Sequence, residues 1–435
     1  MRKSMRKSTR WSQAAFATVV LLVAGACTQQ EPDQADLDED LGGTVEIAAV
    51  WTGAEQEAFE AVLDEFTERT GTEVTFTSTG DEIATVLRTR LEGDDPPGLA
   101  VLPQPGLLND LAGQDALEPI DDVVGDAVDD SWASSWRELG SVDDELYGLF
   151  FKAANKSTVW YNVSTFEEAE VEPPATWDGF IETIGTLRDS GVTPLAIGGE
   201  AGWVLTDWFE NIYVRTAGPE AYDDLTNHEI PWTDDTVTEA LGVFAEVLSD
   251  DALTFEEPTS VTFEESVDAV FADEPDAAIV YEGDFVPGAT DIAKAAEPGT
   301  DYDVFDFPSI EDSEPVVVGG GDVVVMLEST PQSEALLRFL ASPDAAEIWA
   351  SEGGFASPNR DVDPDAYPND IARQTASSLA DADVFRFDLS DLVPTELGGD
   401  VPGSMWSILQ DFAEDPSDVE GTARRLEEAA AKAFG

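Results

Sequence analysis

From residue 44 onward the chain alternates continuous apolar runs with amphipathic stretches, and that order restricts the fold more than any other feature. TVEIAAVW (44–51) reads as a buried strand. AEQEAFEAVLDEFTERTG (54–71) follows with Phe59, Val62, Leu63 and Phe66 at helical spacing and Gly71 as its stop. EVTFTST (73–79) returns as a strand, DEIATVLRTRLEG (81–93) as a helix, and GLAVLP (98–103) as a third strand. Strands that alternate with helices require crossover connections, so the expected class is α/β with a doubly wound sheet. Ligands of such sheets sit at the carboxyl ends of the strands. Here those ends are Trp51-Thr52-Gly53, Thr79-Gly80-Asp81 and Pro103-Gln104-Pro105. No repeat with a period of 20–50 residues is visible, which argues against a solenoid.

The first ten residues, MRKSMRKSTR, carry five cations and no acid, and an apolar run from Ala14 to Ala26 leads to Cys27. This is the pattern of an export signal, 1–26, too short for a membrane span. Ala24-Gly25-Ala26-Cys27 resembles the lipobox of bacterial lipoproteins, which implies a lipidated Cys27 as the mature N-terminus and a protein held to the outer face of the cell membrane. Cys27 is the only cysteine, so no internal disulfide can form. Residues 27–43 are acidic and poor in large apolar groups and read as a flexible tether. The remaining length of nearly 400 residues is too long for one core and suits two domains.

The net charge is −71, and removal of the five cations in 1–26 takes it to −76. Such a surface repels nucleic acid and anionic solutes and matches salty surroundings. Against this background LFFKAANKSTVWYN (149–162) stands out. Only four lysines lie beyond the signal, and Lys152 and Lys156 are two of them, beside Asn155 and ahead of Trp160-Tyr161. The segment reads either as a strand that carries charge or as a ligand-contacting crossing between two lobes.

Enzymatic patterns are weak. There is no G-x-S-x-G elbow, one cysteine and one histidine, His228, which cannot build a histidine-rich zinc centre. Paired carboxylates carry no information among 92 acids. Gly319-Gly320-Gly321 lacks dinucleotide-loop spacing and reads as a turn at an interlobe crossing. Asp361-x-Asp363-x-Asp365 opens like a calcium loop, but Ala366 and Ala372 stand where its glycine and bidentate acid belong. No metal and no cofactor are expected.

Taken in order, the signatures resemble the solute-binding lipoproteins of carbohydrate ABC importers, in the maltose- and α-glucoside-binding branch (family 1 solute-binding proteins). They are the opening strand and helix, GLFFKAANKSTVWYN, PPATWDGFIETIGTLRDSG (173–191), TPLAIGG (193–199), AAIVYEGDF (277–285), the Ser-Pro-Asn turn at 357–359 and FDLSDLVPTELGGDVPGSMWSILQDF (387–412). The resemblance implies a type II periplasmic-binding-protein fold. Two lobes, each a mostly parallel sheet flanked by helices, would be joined by a hinge of several crossings near 153–158, 314–320 and 358–364. The lobes would be 44–153 plus 319–360 and 154–318 plus 361–435. It also implies a monomer that captures a sugar, delivers it to membrane permease subunits and has no enzymatic activity.

Sugar binding needs aromatic faces and a few polar groups. The candidate ligand residues are Trp51, Glu55, Asp81, Gln104, Lys152, Asn155, Glu200, Trp203, Trp208, Asp284, Phe285 and Trp406. By similarity, Phe285 and Trp406 match the family's stacking aromatics and Asn155 a polar contact. Trp132, Trp136, Trp177, Trp232 and Trp349 read as packing residues. Two other readings stay open: a binder of a polyol, peptide or osmolyte, and a secreted enzyme acting on polysaccharide.

Overall fold

The computed structural model describes residues 41–380, 382 and 384–435. The export signal, Cys27 and the tether as far as residue 40 lie outside the described residues. Twelve strands are present among them: β1 Thr44–Ala49, β2 Glu73–Ser78, β3 Leu99–Leu102, β4 Ser141–Val142, β5 Glu145–Leu146, β6 Gly148–Asn155, β7 Thr158–Asn162, β8 Leu195–Ala196, β9 Ile279–Tyr281, β10 Tyr302–Asp306, β11 Val317–Met326 and β12 Phe385–Phe387. The helix Gly53–Thr70 turns Ala58, Phe59, Val62, Leu63 and Phe66 inward. Burying each of its large apolar side chains contributes about 1.5–3 kcal/mol. It stops at Gly71, whose φ of 66° is left-handed and whose N–H donates to the Thr67 carbonyl.

Two sheets organise the chain. In the first, β2, β1 and β3 run parallel, and β3 meets β11 antiparallel. β6 pairs antiparallel along β11 from Gly319 to Val325, and β12 pairs parallel with its start, Val317–Gly319. The second sheet has the order β10-β7-β9-β8, with β10–β7 and β7–β9 antiparallel and β8–β9 parallel. Both sheets are thus mixed, where mostly parallel ones were expected. The crossing strands are the cause. β6 leads into β7 and β10 into β11 directly from one sheet to the other, without a crossover helix to return them in parallel.

Apolar clusters cover both faces of the first sheet, one built on Ile47, Phe59, Phe66 and Trp349, the other on Leu102, Leu108, Phe150 and Val325. The second sheet packs mainly against Trp208, Phe209, Phe244 and Leu409.

The crossings fall at 155–158, at 306–317 and at 387–389. The third differs from the expected 358–364. After residue 364 the chain stays on the first sheet's side, where the helix Asp370–Ala380 packs on β6 and β12 joins β11. Ile371 and Val384 touch the second lobe's clusters from there, and the first side chain fully buried in the second core is Leu389. The glycine run 319–321 is no turn. It lies inside β11 opposite Asn155, Ala154 and Ala153. A Cβ on Gly321 would come within 2.9 Å of the Lys152 carbonyl, and one on Gly320 within 3.0 Å of the Lys156 side chain. Glycine is what allows the two crossing strands to lie this close.

Candidate functional site

The strand ends of both sheets face one another across a cavity of about 280 Å³. The first sheet contributes Trp51 and Thr52 after β1, Gly80 and Asp81 after β2, Pro103 and Gln104 after β3, Lys152 on β6 and Asp322 on β11. The other side contributes Glu200 and Trp203 after β8, Phe263 and Glu264 at a helix start, Phe285 after β9, and Ser390, Asp391 and Trp406.

Two lysine networks form its floor. Lys152 Nζ lies 2.5 Å from Glu55 Oε1 and 4.0 Å from Asp322 Oδ2, which also accepts from Trp51 Nε1 at 3.3 Å. The ammonium lies over the rings of Trp349, Phe285 and Trp51 at 5.1, 5.4 and 5.9 Å. Burial alone would lower the Lys152 pKa, but Glu55 and Asp322 outweigh it and hold the ammonium above its ordinary value. Asp322 is pushed up to about 6 by burial, with Lys152 opposing.

The second ammonium, Lys156, sits on the first crossing. Its Nζ is 2.5 Å from Asp388, 3.2 Å from Asp207 and 3.7 Å from Asp391, and 5.9 Å over the Trp203 ring. Glu210 and Glu282 complete a buried group of five carboxylates around one cation. Burial raises the carboxyls of Asp207, Glu210 and Asp391 well above their usual range and Glu282 to about 8. For Asp388 burial acts the same way, but Lys156 and its other donors keep it below the usual value. Asp207, Glu210 and Asp388 offer oxygens within 4.8 Å of one another, as a metal ligand set would. The Lys156 ammonium bridges two of the three, Asp207 and Asp388, while Glu210 accepts from the Leu389 and Ser390 N–H groups and the Tyr222 hydroxyl.

This geometry of two α/β lobes with an aromatic and acidic cleft between them is matched in sequence. The family model of bacterial extracellular solute-binding proteins matches residues 51–347. The chain belongs to that family. It is 34% identical over 393 residues, 88% of this chain and 91% of the relative, to the osmoprotective compounds-binding protein GgtB of Synechocystis sp.. It is 32% identical over 400 residues, 88% of this chain and 86% of the relative, to the alpha-glucosides-binding periplasmic protein AglE of Rhizobium meliloti. Among solved structures, the fold is similar to the bacterial solute receptor AcbH (TM-score 0.80, 20% identity, 90% of this chain and 100% of that one). It is also similar to RafE in complex with raffinose (TM-score 0.74, 17% identity, 90% and 100%).

In this solute-binding protein Trp51, Glu55, Asp81, Gln104, Lys152, Glu200, Trp203, Phe285 and Trp406 all line the cleft. Three other candidates do not. Trp208 is core, stacked on Phe244 at 6.0 Å and edge-on to Tyr281 at 4.7 Å, because it lies on the inward face of the helix Trp203–Ala217. Asn155 points into the hinge. Its Nδ2 donates to Ser378 Oγ and its Oδ1 accepts from the Ser157 N–H, so it braces the first crossing. Asp284 is buried beside it, with its backbone N–H on the Asn155 carbonyl and neither carboxylate oxygen hydrogen-bonded.

Sequence reasoning passed over Lys156, Phe263, Glu264, Asp322, Ser390 and Asp391 as contact residues. Lys156 carried a signal as one of the scarce cations. Asp322 was hidden by reading the preceding glycines as a turn. Among the described residues no helix is long and apolar enough to cross a membrane.

Proposed function

We propose that this protein is the sugar-capturing receptor of an ABC importer, tethered outside the cell by lipidated Cys27, working as a monomer that hands its ligand to membrane permease subunits. One observation carries the reading. Trp51, Trp203, Phe285 and Trp406 line one interlobe cavity together with Glu55, Asp81, Glu200 and Asp322. Flat rings stack on the C–H face of a pyranose, and carboxylates accept from its hydroxyls. A volume of about 280 Å³ is at the small end for ligand sites and suits a sugar of one or two rings. The names of GgtB and AglE support small glycosides and compatible solutes as the class to screen. The binding role itself uses no bond-making chemistry, so no catalytic residue is assigned.

A thermal-shift screen of neutral mono-, di- and trisaccharides and polyols tests the reading. A ligand at about 100 times its Kd adds about 2.7 kcal/mol to the native state and raises the melting temperature by several degrees. Turnover of an oligosaccharide, or stabilisation by peptides alone, would refute it.

A further inference from the structure

We infer that the ligand of this cleft carries a positive charge as well as hydroxyl groups, as an aminated sugar does, with its cationic end between Asp81, Glu200 and Glu264. The inference rests on the sugar-receptor reading and narrows it.

Six carboxylates line the cavity: Glu55, Asp81, Glu200, Glu264, Asp322 and Asp391. Its only cations are Lys152 and Lys156. Both are committed, Lys152 to Glu55 and Asp322, and Lys156 to Asp388, Asp207 and Asp391. Asp81, Glu200 and Glu264 are left with no basic side chain among the lining residues. They come from opposite sides, Asp81 after β2 and the other two from the second lobe, so lobe closure brings like charges together. Burial and then the charges of Glu264, Asp400 and Glu200 push the Asp81 carboxyl up to about 6, and no cation opposes them. A ligand ammonium placed there would relieve the repulsion and tie the two lobes to each other.

A second feature points to a ligand at the same end. Trp406 is 8% exposed, lines the cavity and packs against Gly202, two residues from Glu200. Among the described residues its indole N–H has no acceptor. A buried donor left unmade is costly, and a ligand hydroxyl beside it would satisfy it. The neighbouring wall is aromatic, with Trp203, Phe263 and Phe285 at 5.2 to 6.4 Å from one another, a surface that favours a cation. The cleft is rich in acceptors and poor in free donors, so the matching ligand is rich in donors.

Calorimetry on the full chain at pH 7 would compare matched pairs: glucose with glucosamine, cellobiose with its fully aminated counterpart, and trehalose with trehalosamine, with choline as a cation lacking the ring. The aminated member is expected to bind about tenfold tighter in 0.1 M salt. The margin should shrink at 1 M, where the Debye length falls to about 3 Å. Asp81→Asn should reduce the ratio within a pair, and Glu264→Gln is read instead should that variant not fold. Neutral sugars that bind as tightly as their amines would overturn the charge inference and leave the sugar reading standing. Binding of choline alone would sink the sugar reading and keep the charge. No binding by any probe would overturn both.

Discussion

Glu282→Gln is expected to make the protein more stable at alkaline pH and to leave it almost unchanged at pH 5. Glu282 is fully buried in the Lys156 group. Its Oε2 accepts from the Gly283 N–H, while among the described residues Oε1 has no donor. Five carboxylates around one ammonium cannot all be ionised in a dry interior, so the group retains protons. The Glu282 carboxyl, at about 8 instead of the ordinary 4.5, is raised first by burial, with Lys156 opposing. The folded state therefore holds a proton that the unfolded chain has already lost between those two values. The stability it contributes is full below pH 4.5 and is lost as pH rises through 8. At 1.36 kcal/mol per pH unit, that window is on the order of 5 kcal/mol. Glutamine keeps the acceptor for Gly283, offers its amide N–H to Asp207 and does not titrate. Urea unfolding followed by tryptophan fluorescence at pH 5, 6, 7 and 8 gives the difference curve. Asp284 and Asp322, raised to about 7 and 6, titrate with the same sign in parent and variant and cancel in that difference. Parallel curves, or a variant less stable at every pH, would show that Glu282 holds no proton.

Trp406→Ala should weaken sugar binding at least about tenfold by calorimetry, since an engaged aromatic anchor is worth 2 kcal/mol or more. Trp132→Ala, which removes a buried indole bonded to the Phe150 carbonyl, should lower stability by about 3–5 kcal/mol without moving affinity. Lys156→Met leaves Asp388 and Asp207 facing each other without their cation and should cost about 3–5 kcal/mol in denaturant unfolding. An unchanged midpoint would mean that its carboxylates are already neutral. Cys27→Ser should release the protein into the medium or block its processing, read by fractionation and mass. Between 0.1 and 1 M salt the melting temperature should rise as the Debye length falls from about 10 to 3 Å, and a fall would assign the acidity another role.

The local signals of the fold were legible where they rested on periodicity or on a residue's own geometry. The helix expected over 54–71 is observed as Gly53–Thr70 with Gly71 as its left-handed cap, and the three opening strands stand within two residues of their expected ends. Of the aromatics that line the cleft, Trp51 was legible as a strand end and Phe285 and Trp406 through the family resemblance. What failed were judgements that needed tertiary context. A tryptophan at helical spacing inside a polar stretch can face either way, and Trp208 faces the core. Three consecutive glycines look like a turn until a second strand is known to press on them. No periodicity marks the third crossing, because the helix Asp370–Ala380 is as amphipathic as one from either lobe would be.

The pairing of scarce cations on one segment has a physical basis in the crossing itself. β6 and β11 lie side by side at the hinge, and Lys152 and Lys156 project from the same short stretch toward carboxylates on different partners. Lys152 binds Glu55 and Asp322, from the helix after β1 and from β11. Lys156 binds Asp207 and Asp388, from the second lobe's long helix and from the third crossing. Each ammonium thus offsets the desolvation of acids that converge from separate segments, and the two networks meet at the floor of the cleft. A chain with a net charge of −71 can place such acids in its interior only where a cation is fixed among them. The lysines sit where the lobes join because that is where acidic segments of both lobes are forced together. The Asp81, Glu200 and Glu264 end of the cleft, with no basic side chain left free among the lining residues, is left for the ligand to neutralise.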